Sequence, residues 1–370
     1  MSLVVCVMLV AGILTTAARA APGTIELRLP AVGQSVPKTA LTLAVPDIKG
    51  SYTIPHIQSS RDLQLRVIFP AESPSRARVV LLCGARKVAE HRATAEAPEV
   101  CFVGLGPGEY TIRVGGLDAA GRVVCSASSD RVAIGTVIGA IGDSITEGYH
   151  GHGFWRDDLN LKASMFPSEA VSRDGRNFPQ HSPTTAWHRP DINCFQSWMT
   201  DLNDLLAVRW RQPVFIANEG YGGISTGAYL NVMRGDRGWQ ARMRLLRPQV
   251  WLIHLGVNDE RAKLPAATVA ANLDAIVTIL IQDYGARPDH ILIARPCYDY
   301  AEGAADILRS YIAEMDALIA RRGLRPGPDF FAAYATDKQK WYGDDPVHPN
   351  IAGVAYMARL WAEALGAAME

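Results

Sequence analysis

The sequence predicts an α/β protein in which a parallel sheet, covered by helices on both faces, follows a small all-β sandwich. Residues 22–134 contain short segments that alternate polar and apolar residues, separated by Pro- and Gly-rich turns. From residue 135 onward, apolar strands alternate with long amphipathic helices. The 370 residues therefore divide into a leader of residues 1–21, a β-sandwich domain of residues 22–134 and an α/β domain of residues 135–370.

The composition is typical of a globular protein with a sizeable core. Hydrophobic residues make up 48% of the chain and charged residues 20%. Lys+Arg and Asp+Glu are equal at 37 each, so no net field would steer a polyanion to the protein. We therefore expect no nucleic-acid partner.

The first residues predict a cleaved secretory leader. An apolar run over residues 3–14 is followed by Ala18-Arg19-Ala20, a small-x-small cleavage site. The run is too short to span a bilayer comfortably, although a buried N-terminal strand is an alternative interpretation. We expect a secreted or periplasmic chain that starts near Ala21 and has no membrane attachment after cleavage.

The predicted sandwich domain contains four clear strand candidates, at residues 24–29, 63–69, 79–83 and 110–114. It shows no catalytic cluster, so it is either an accessory module that binds carbohydrate or a packing domain. Its three cysteines, Cys83, Cys101 and Cys125, allow one disulfide or free thiols, and no cysteine spacing in the chain matches a zinc site.

The α/β domain has five predicted strands, at residues 137–141, 213–217, 249–255, 290–295 and 329–334. Five helices are predicted at residues 194–208, 236–246, 266–284, 303–322 and 350–366. In such a sheet the carboxyl ends of the strands meet at one edge, where ligands bind.

A long irregular insert, residues 148–192, follows the first of these strands. Loops of this length are often functional. Residues that could shape a substrate rim here, together with the preceding aspartate, are Asp143, Trp155, Arg156, Trp187 and His188. The histidines of the insert lack metal-ligand spacing, so we expect no metal.

Four short stretches at the strand ends carry residues for one reaction. They are Gly142-Asp143-Ser144, the glycine-rich residues 218–226, Gly256-Val257-Asn258-Asp259 and Asp345-Pro346-Val347-His348. Each has an ordinary explanation as a turn or a helix cap when it is taken alone.

Together the four stretches fit ester hydrolysis by a serine. His348 can remove the proton of Ser144, and Asp345 can fix the imidazole tautomer. The Ser144 N–H, the Gly223 N–H and the Asn258 amide can hold the oxyanion, each donor being worth about 3 kcal/mol in the transition state. The predicted site is therefore Ser144, Asp345 and His348 with an oxyanion hole of Ser144, Gly223 and Asn258.

The four stretches, in this order over about residues 135–370, resemble the GDSL-type or SGNH hydrolase family. The resemblance implies a flavodoxin-like three-layer α/β/α fold and esterase activity without a cofactor. Family members that combine a signal peptide with an N-terminal β-sandwich are often carbohydrate O-acetyl esterases. We therefore expect an acylated carbohydrate or another small ester as substrate.

Several alternatives stay open at this point. A lipase, an arylesterase or an acyltransferase would use the same fold, and a secreted glycan-binding protein could carry an inactive hydrolase domain. Residues 223–227 also match the G-x-S-x-G pattern, which would make Ser225 the nucleophile with Asp259 and His348. Since several loop residues separate Ser225 from the strand end, we prefer Ser144. The sequence does not predict the oligomeric state.

Overall fold

The computed structural model describes residues 24–47, 50–148, 197–342 and 346–366. The predicted leader and nearly all of the predicted insert lie outside these residues. The leader and the insert therefore stay predictions.

The N-terminal region is built from strands that alternate buried and exposed side chains. In β5, for example, Leu63, Leu65 and Val67 are buried and the residues between them face outward. The strands are β1 (Ile25–Arg28), β2 (Thr42–Asp47), β3 (Gly50–Pro55), β4 (Ile57–Gln58), β5 (Leu63–Ile68), β6 (Arg76–Cys83), β7 (Arg86–Thr94), β8 (Glu99–Phe102), β9 (Gly108–Leu117), β10 (Val123–Ser128) and β11 (Val132–Ile134).

These strands form two sheets over one apolar core. A three-stranded sheet has the order β1-β5-β8, and a six-stranded sheet has the order β4-β11-β9-β6-β7 with β10 also paired to β9. Side chains from both sheets, such as Leu65 and Val79, belong to the same buried cluster. The strands β2 and β3 pair separately as an antiparallel hairpin. The assignment of this region to an independent sandwich domain stays a prediction.

The second half contains a parallel sheet of order β13-β12-β14-β15-β16. Its strands are β12 (Thr136–Gly142), β13 (Val214–Gly220), β14 (Val250–His254), β15 (Ile291–Arg295) and β16 (Arg325–Asp329). This strand order is the flavodoxin-like one, so the predicted α/β fold is confirmed.

Helices cover both faces of this sheet. They are α1 (Ser144–Glu147), α2 (Trp198–Trp210), α3 (Thr226–Gly235), α4 (Arg237–Leu246), α5 (Val257–Arg261), α6 (Ala266–Tyr284), α7 (Ala304–Arg322), α8 (Phe330–Tyr334), α9 (Lys338–Trp341) and α10 (Ile351–Leu365). Val137 of β12 packs with α3, α4, α6 and α7, whereas Ile138 packs with α2, α8 and α10. By length and apolar composition alone α6 could cross a membrane, but here Leu273, Ile276 and Leu280 join the core.

The structure corrects one expectation. The predicted strand at residues 329–334 is wrong, because β16 ends at Asp329, whose side chain accepts the Ala332 N–H and starts α8. The sequence left open whether the cysteines of the N-terminal region are paired. The four cysteines in the described residues, Cys83, Cys101, Cys125 and Cys297, are free thiols.

Candidate active site

Ser144 lies at the carboxyl end of β12, where the chain turns sharply into α1. A Cβ on Gly142 would lie 2.0 Å from Thr146 Oγ1, so this turn requires glycine. The Asp143 carboxylate accepts the Ile145 N–H at 3.0 Å and caps α1. The helix therefore begins at Ser144, whose own N–H is left for another acceptor.

The hydroxyl of Ser144 meets the imidazole of His348. The distance between Ser144 Oγ and His348 Nε2 is 3.0 Å, which suits proton transfer from an alcohol to a base. The segment around His348 is anchored on both sides, by the buried Val347 and by Asn350, whose side chain caps α10. Residues more than 200 positions apart are thus held in one pocket.

Asp345, the predicted acid of the triad, lies outside the described residues. Its place beside the imidazole stays a prediction, as do the catalytic roles assigned to Ser144 and His348.

The predicted oxyanion donors lie on the two neighbouring strand ends. Gly223 has φ +73°, and a Cβ there would meet no atom within 4 Å, so its backbone faces open space. Asn258 donates one amide hydrogen to the Ile224 carbonyl at 3.1 Å, which ties its side chain to the segment that carries Gly223. Its second amide hydrogen is available for a substrate oxygen.

Backbone pairing and the Asn218 side chain hold these strand ends together. Gly142 pairs in register with Gly220 of β13 and with His254 of β14. The Asn218 amide donates to the Glu147 carbonyl at 3.2 Å, while its carbonyl accepts the Gly220 N–H at 3.0 Å. A Cβ on Gly220 would lie 2.2 Å from Glu147 N, so α1 packs directly on the backbone of β13.

Asp143 is a supporting residue under the serine and not a residue of the substrate rim. Its side chain is 1% exposed, and burial raises the pKa of its carboxyl to about 6 against the opposing effects of the Ile145 N–H and the nearby His348. The other rim candidates, Trp155, Arg156, Trp187 and His188, lie outside the described residues.

Ser225 and Asp259, the residues of the alternative site, make other hydrogen bonds in the structure. The Ser225 hydroxyl caps α3 by accepting the Ala228 N–H at 3.4 Å. Asp259 would be its acid, but the Asp259 carboxylate accepts both the N–H and the hydroxyl of Thr226, the latter at 2.5 Å. The structure therefore favours Ser144 as the partner of His348.

A buried histidine ends the neighbouring strand β14. His254 is 1% exposed, and neither ring nitrogen has a hydrogen-bond partner in the part of the chain that the structure describes. Burial lowers the pKa of His254 to about 4, so the ring is neutral at pH 7. Among the described residues, no group of three or more His, Cys, Asp or Glu side chains could hold a metal ion.

The chain is similar to a known family of hydrolases. The profile of the GDSL-like lipase/acylhydrolase family matches residues 140–356, which is more than half of the chain. A search of curated proteins found no match. Among solved structures, the lipase/acylhydrolase from Enterococcus faecalis is 15% identical, with a TM-score of 0.43 over 62% of this chain and 95% of the other. A catalytic mutant of Axe2, an acetylxylan esterase from Geobacillus stearothermophilus, is 16% identical, with a TM-score of 0.43 over 63% and 94%.

Proposed function

Because the chain belongs to the GDSL-like lipase/acylhydrolase family, we propose that it is a secreted serine esterase that removes acetyl groups from a carbohydrate. The observation that carries the esterase chemistry is the 3.0 Å contact between Ser144 Oγ and His348 Nε2. Membership of the family by itself supports a hydrolase that acts on esters.

In the proposed reaction, His348 takes the proton of Ser144 as Oγ attacks the ester carbonyl. The tetrahedral oxyanion accepts hydrogen bonds from the Ser144 N–H, the Gly223 N–H and the Asn258 amide. His348 then gives this proton to the departing sugar oxygen as its bond to the acyl carbon breaks, which releases the sugar hydroxyl and leaves an acetylated serine. Water, deprotonated by the same imidazole, attacks this ester and releases acetate. Asp345 would hold the ring by accepting the hydrogen on its other nitrogen.

The carbohydrate specificity rests on chain organisation. A leader, a β-rich N-terminal region and a hydrolase region in this order resemble the layout of secreted carbohydrate esterases. Export is part of the proposal, and N-terminal sequencing of the exported protein is expected to start near Ala21. An uncleaved N-terminus on the exported protein would contradict it.

Two serine-to-alanine variants test the chemistry. We expect Ser144→Ala to lower kcat on p-nitrophenyl acetate and on acetylated sugars by a factor on the order of 10⁴ or more, since the nucleophile is lost. Ser225→Ala is the matched control and should keep kcat within a few-fold, because Ser225 only caps α3. A fluorophosphonate probe should label Ser144, as read by peptide mass spectrometry.

The outcomes separate the proposal from its alternatives. Full activity in Ser144→Ala, or an equal loss in Ser225→Ala, would overturn the assignment of the nucleophile. Faster turnover of long-chain acyl esters than of acetyl esters would indicate a lipase. No turnover of any ester by folded protein would leave a glycan-binding protein.

A further inference from the structure

A groove of about 440 Å³ lies on the six-stranded sheet, away from the strands that carry Ser144. Its walls come from β6, β9 and β10, with Val36 at one side. On β6 the outward side chains are Arg78, Val80 and Leu82, because every second residue of the strand faces this side. The groove is therefore formed mostly by strands, with Val36 contributed by the segment before β2.

Three arginines on this sheet face stand close together. Arg78 of β6 is directly opposite Arg92 of β7, and Arg113 of β9 is opposite Val80, the next outward residue of β6. All three are exposed, and within the described residues none of their guanidinium groups makes a hydrogen bond or an ion pair. Glu90, the acid on the same face, is paired with Lys87 at 3.2 Å.

Like charges directly opposite on neighbouring strands destabilise a sheet. The strand register places positions 78 and 92 opposite each other but does not require arginine at both. The protein as a whole has no net charge. An anion with several negative groups would relieve the repulsion. The charge complementarity therefore points to a polyanionic ligand.

The floor of the groove indicates what kind of polyanion fits. Gly115 lies between Arg78 and Ser126 in register, and Val123 covers it, since a Cβ on Gly115 would lie 3.2 Å from Val123 Cγ2. Val80 and Leu82 supply an apolar surface, whereas Ser126 and Ser128 supply hydroxyls. The residues that line the groove include no aromatic ring on which a nucleobase could stack.

We propose that the groove lined by Arg78 and Arg113, with Arg92 beside it, binds a polysaccharide chain that carries carboxylates. Guanidinium groups pair with carboxylates through two parallel hydrogen bonds. Neighbouring strands are about 4.8 Å apart, so Arg78 and Arg92 rise at a spacing close to the length of one sugar unit. The choice of a carbohydrate over other polyanions rests on the proposed function, and the groove would hold a polymeric substrate outside the catalytic pocket.

Binding is measured with short alginate oligosaccharides, which carry carboxylates and no ester, on the inactive full-length Ser144→Ala variant. Calorimetric titration should show binding that weakens as salt rises. Adding Arg78→Gln and Arg113→Gln should weaken it at least tenfold. The charge-matched control adds Arg28→Gln and Arg237→Gln, two exposed arginines outside the groove, and should keep the affinity within twofold.

The result is independent of the esterase test because alginate contains no acyl group to hydrolyse. Circular dichroism confirms that each variant is folded before titration. Unchanged affinity in the Arg78→Gln/Arg113→Gln variant, equal loss in the control, or no binding at low salt would overturn the inference. Binding of neutral dextran or of a single-stranded oligonucleotide as tightly as alginate would overturn it as well.

Discussion

Asp143 combines a structural and an electrostatic role in one buried side chain. It caps α1 through the Ile145 N–H, and its carboxylate is close enough to His348 for their charges to interact. A buried carboxylate is costly to ionise, as its raised pKa shows. We therefore expect the ionised Asp143 carboxylate to lower the free energy of unfolding at neutral pH and to stabilise the imidazolium of His348.

The substitution Asp143→Asn separates these roles, because Asn still accepts the Ile145 N–H but carries no charge. The native carboxyl keeps a proton between pH 3.8 and about 6 that the unfolded chain releases, so the parent loses stability as pH rises through this window. Relative to the parent, the variant should gain up to about 3 kcal/mol between pH 4 and pH 7. Its kcat should fall about tenfold or more, because the imidazolium formed in the transition state loses a nearby negative charge.

Urea unfolding at both pH values, together with kcat on p-nitrophenyl acetate, checks this expectation. Asp143→Ala is the comparison variant and should also lose about 1 kcal/mol from the missing cap. A stability difference that does not change with pH would contradict the role of burial, and an unchanged kcat would contradict the role of the charge.

At the level of elements, the strands that deliver the site were predictable because each is a continuous apolar run. The observed β12, β14 and β15 differ from their predicted bounds by one residue at most at every end. The helix α3 was missed because Gly222, Gly223 and Gly227 read as loop, and the capping signal of Ser225 was outweighed by them. The strand β7 was missed because most of its side chains are exposed and show no apolar alternation.

The candidate site was predictable for the same reason that its strands were. Once a parallel sheet is inferred, Ser144, Gly223 and Asn258 must come from neighbouring strand ends, and the structure brings Ser144 to His348. The supporting contacts of Asn218 and Glu147 could not be predicted, because they depend on how closely α1 approaches β13. No local pattern in the chain encodes that distance.

The close approach of α1 to β13 predicts the effect of Gly220→Ala. The new methyl group would lie 2.2 Å from Glu147 N, and backbone cannot move aside as a flexible side chain can. We expect a loss of about 1–3 kcal/mol in the free energy of unfolding and a lower kcat, since α1 starts at Ser144. Unfolding by urea and turnover of p-nitrophenyl acetate measure the two effects.

Gly235→Ala is the matched control, because a Cβ at the end of α3 would meet no atom within 4 Å. It should leave kcat unchanged and stabilise the protein by no more than about 1 kcal/mol. Equal effects of the two substitutions would show that the contact between α1 and β13 is not tight.

At the scale of the whole molecule, the N-terminal hairpin is joined to the parallel sheet through a buried ion pair. Arg242 of α4 and Glu219 of β13 are 2.8 Å apart and almost fully buried. Arg242 also donates to the Pro46 carbonyl of β2 at 2.7 Å and to the Tyr221 hydroxyl at 3.2 Å. Val45 and Ile54 of the hairpin belong to the same core as β12. This pairing was not predicted, since it joins residues far apart in sequence.

Breaking this pair should be costly. We expect Arg242→Met to lower the free energy of unfolding by about 3–5 kcal/mol, because Glu219 is then buried without its partner. The double variant Arg242→Met/Glu219→Gln should regain at least about 1 kcal/mol of that loss, as the isolated charge is gone. Guanidinium unfolding of the two single variants and the double variant gives the coupling.

Arg244→Met, an exposed arginine on the same helix, serves as the control and should change stability by less than about 0.5 kcal/mol. Additive losses in the double variant would mean that the pair contributes nothing beyond its separate members. In that case the packing of the hairpin, and not the charge, would hold it to the sheet.

Gly135 alone separates β11 from β12. Its N–H donates to the Gln58 carbonyl, and a Cβ on it would lie 2.2 Å from the Pro213 carbonyl oxygen. Inserting or deleting one residue at this joint would exchange the two faces of β12 and turn Val137 and Ile138 toward the wrong layers. The N-terminal region therefore cannot be exchanged freely. A chimera with another N-terminal region would have to keep the one-residue connection between its last strand and β12, so that Ser144 stays in place.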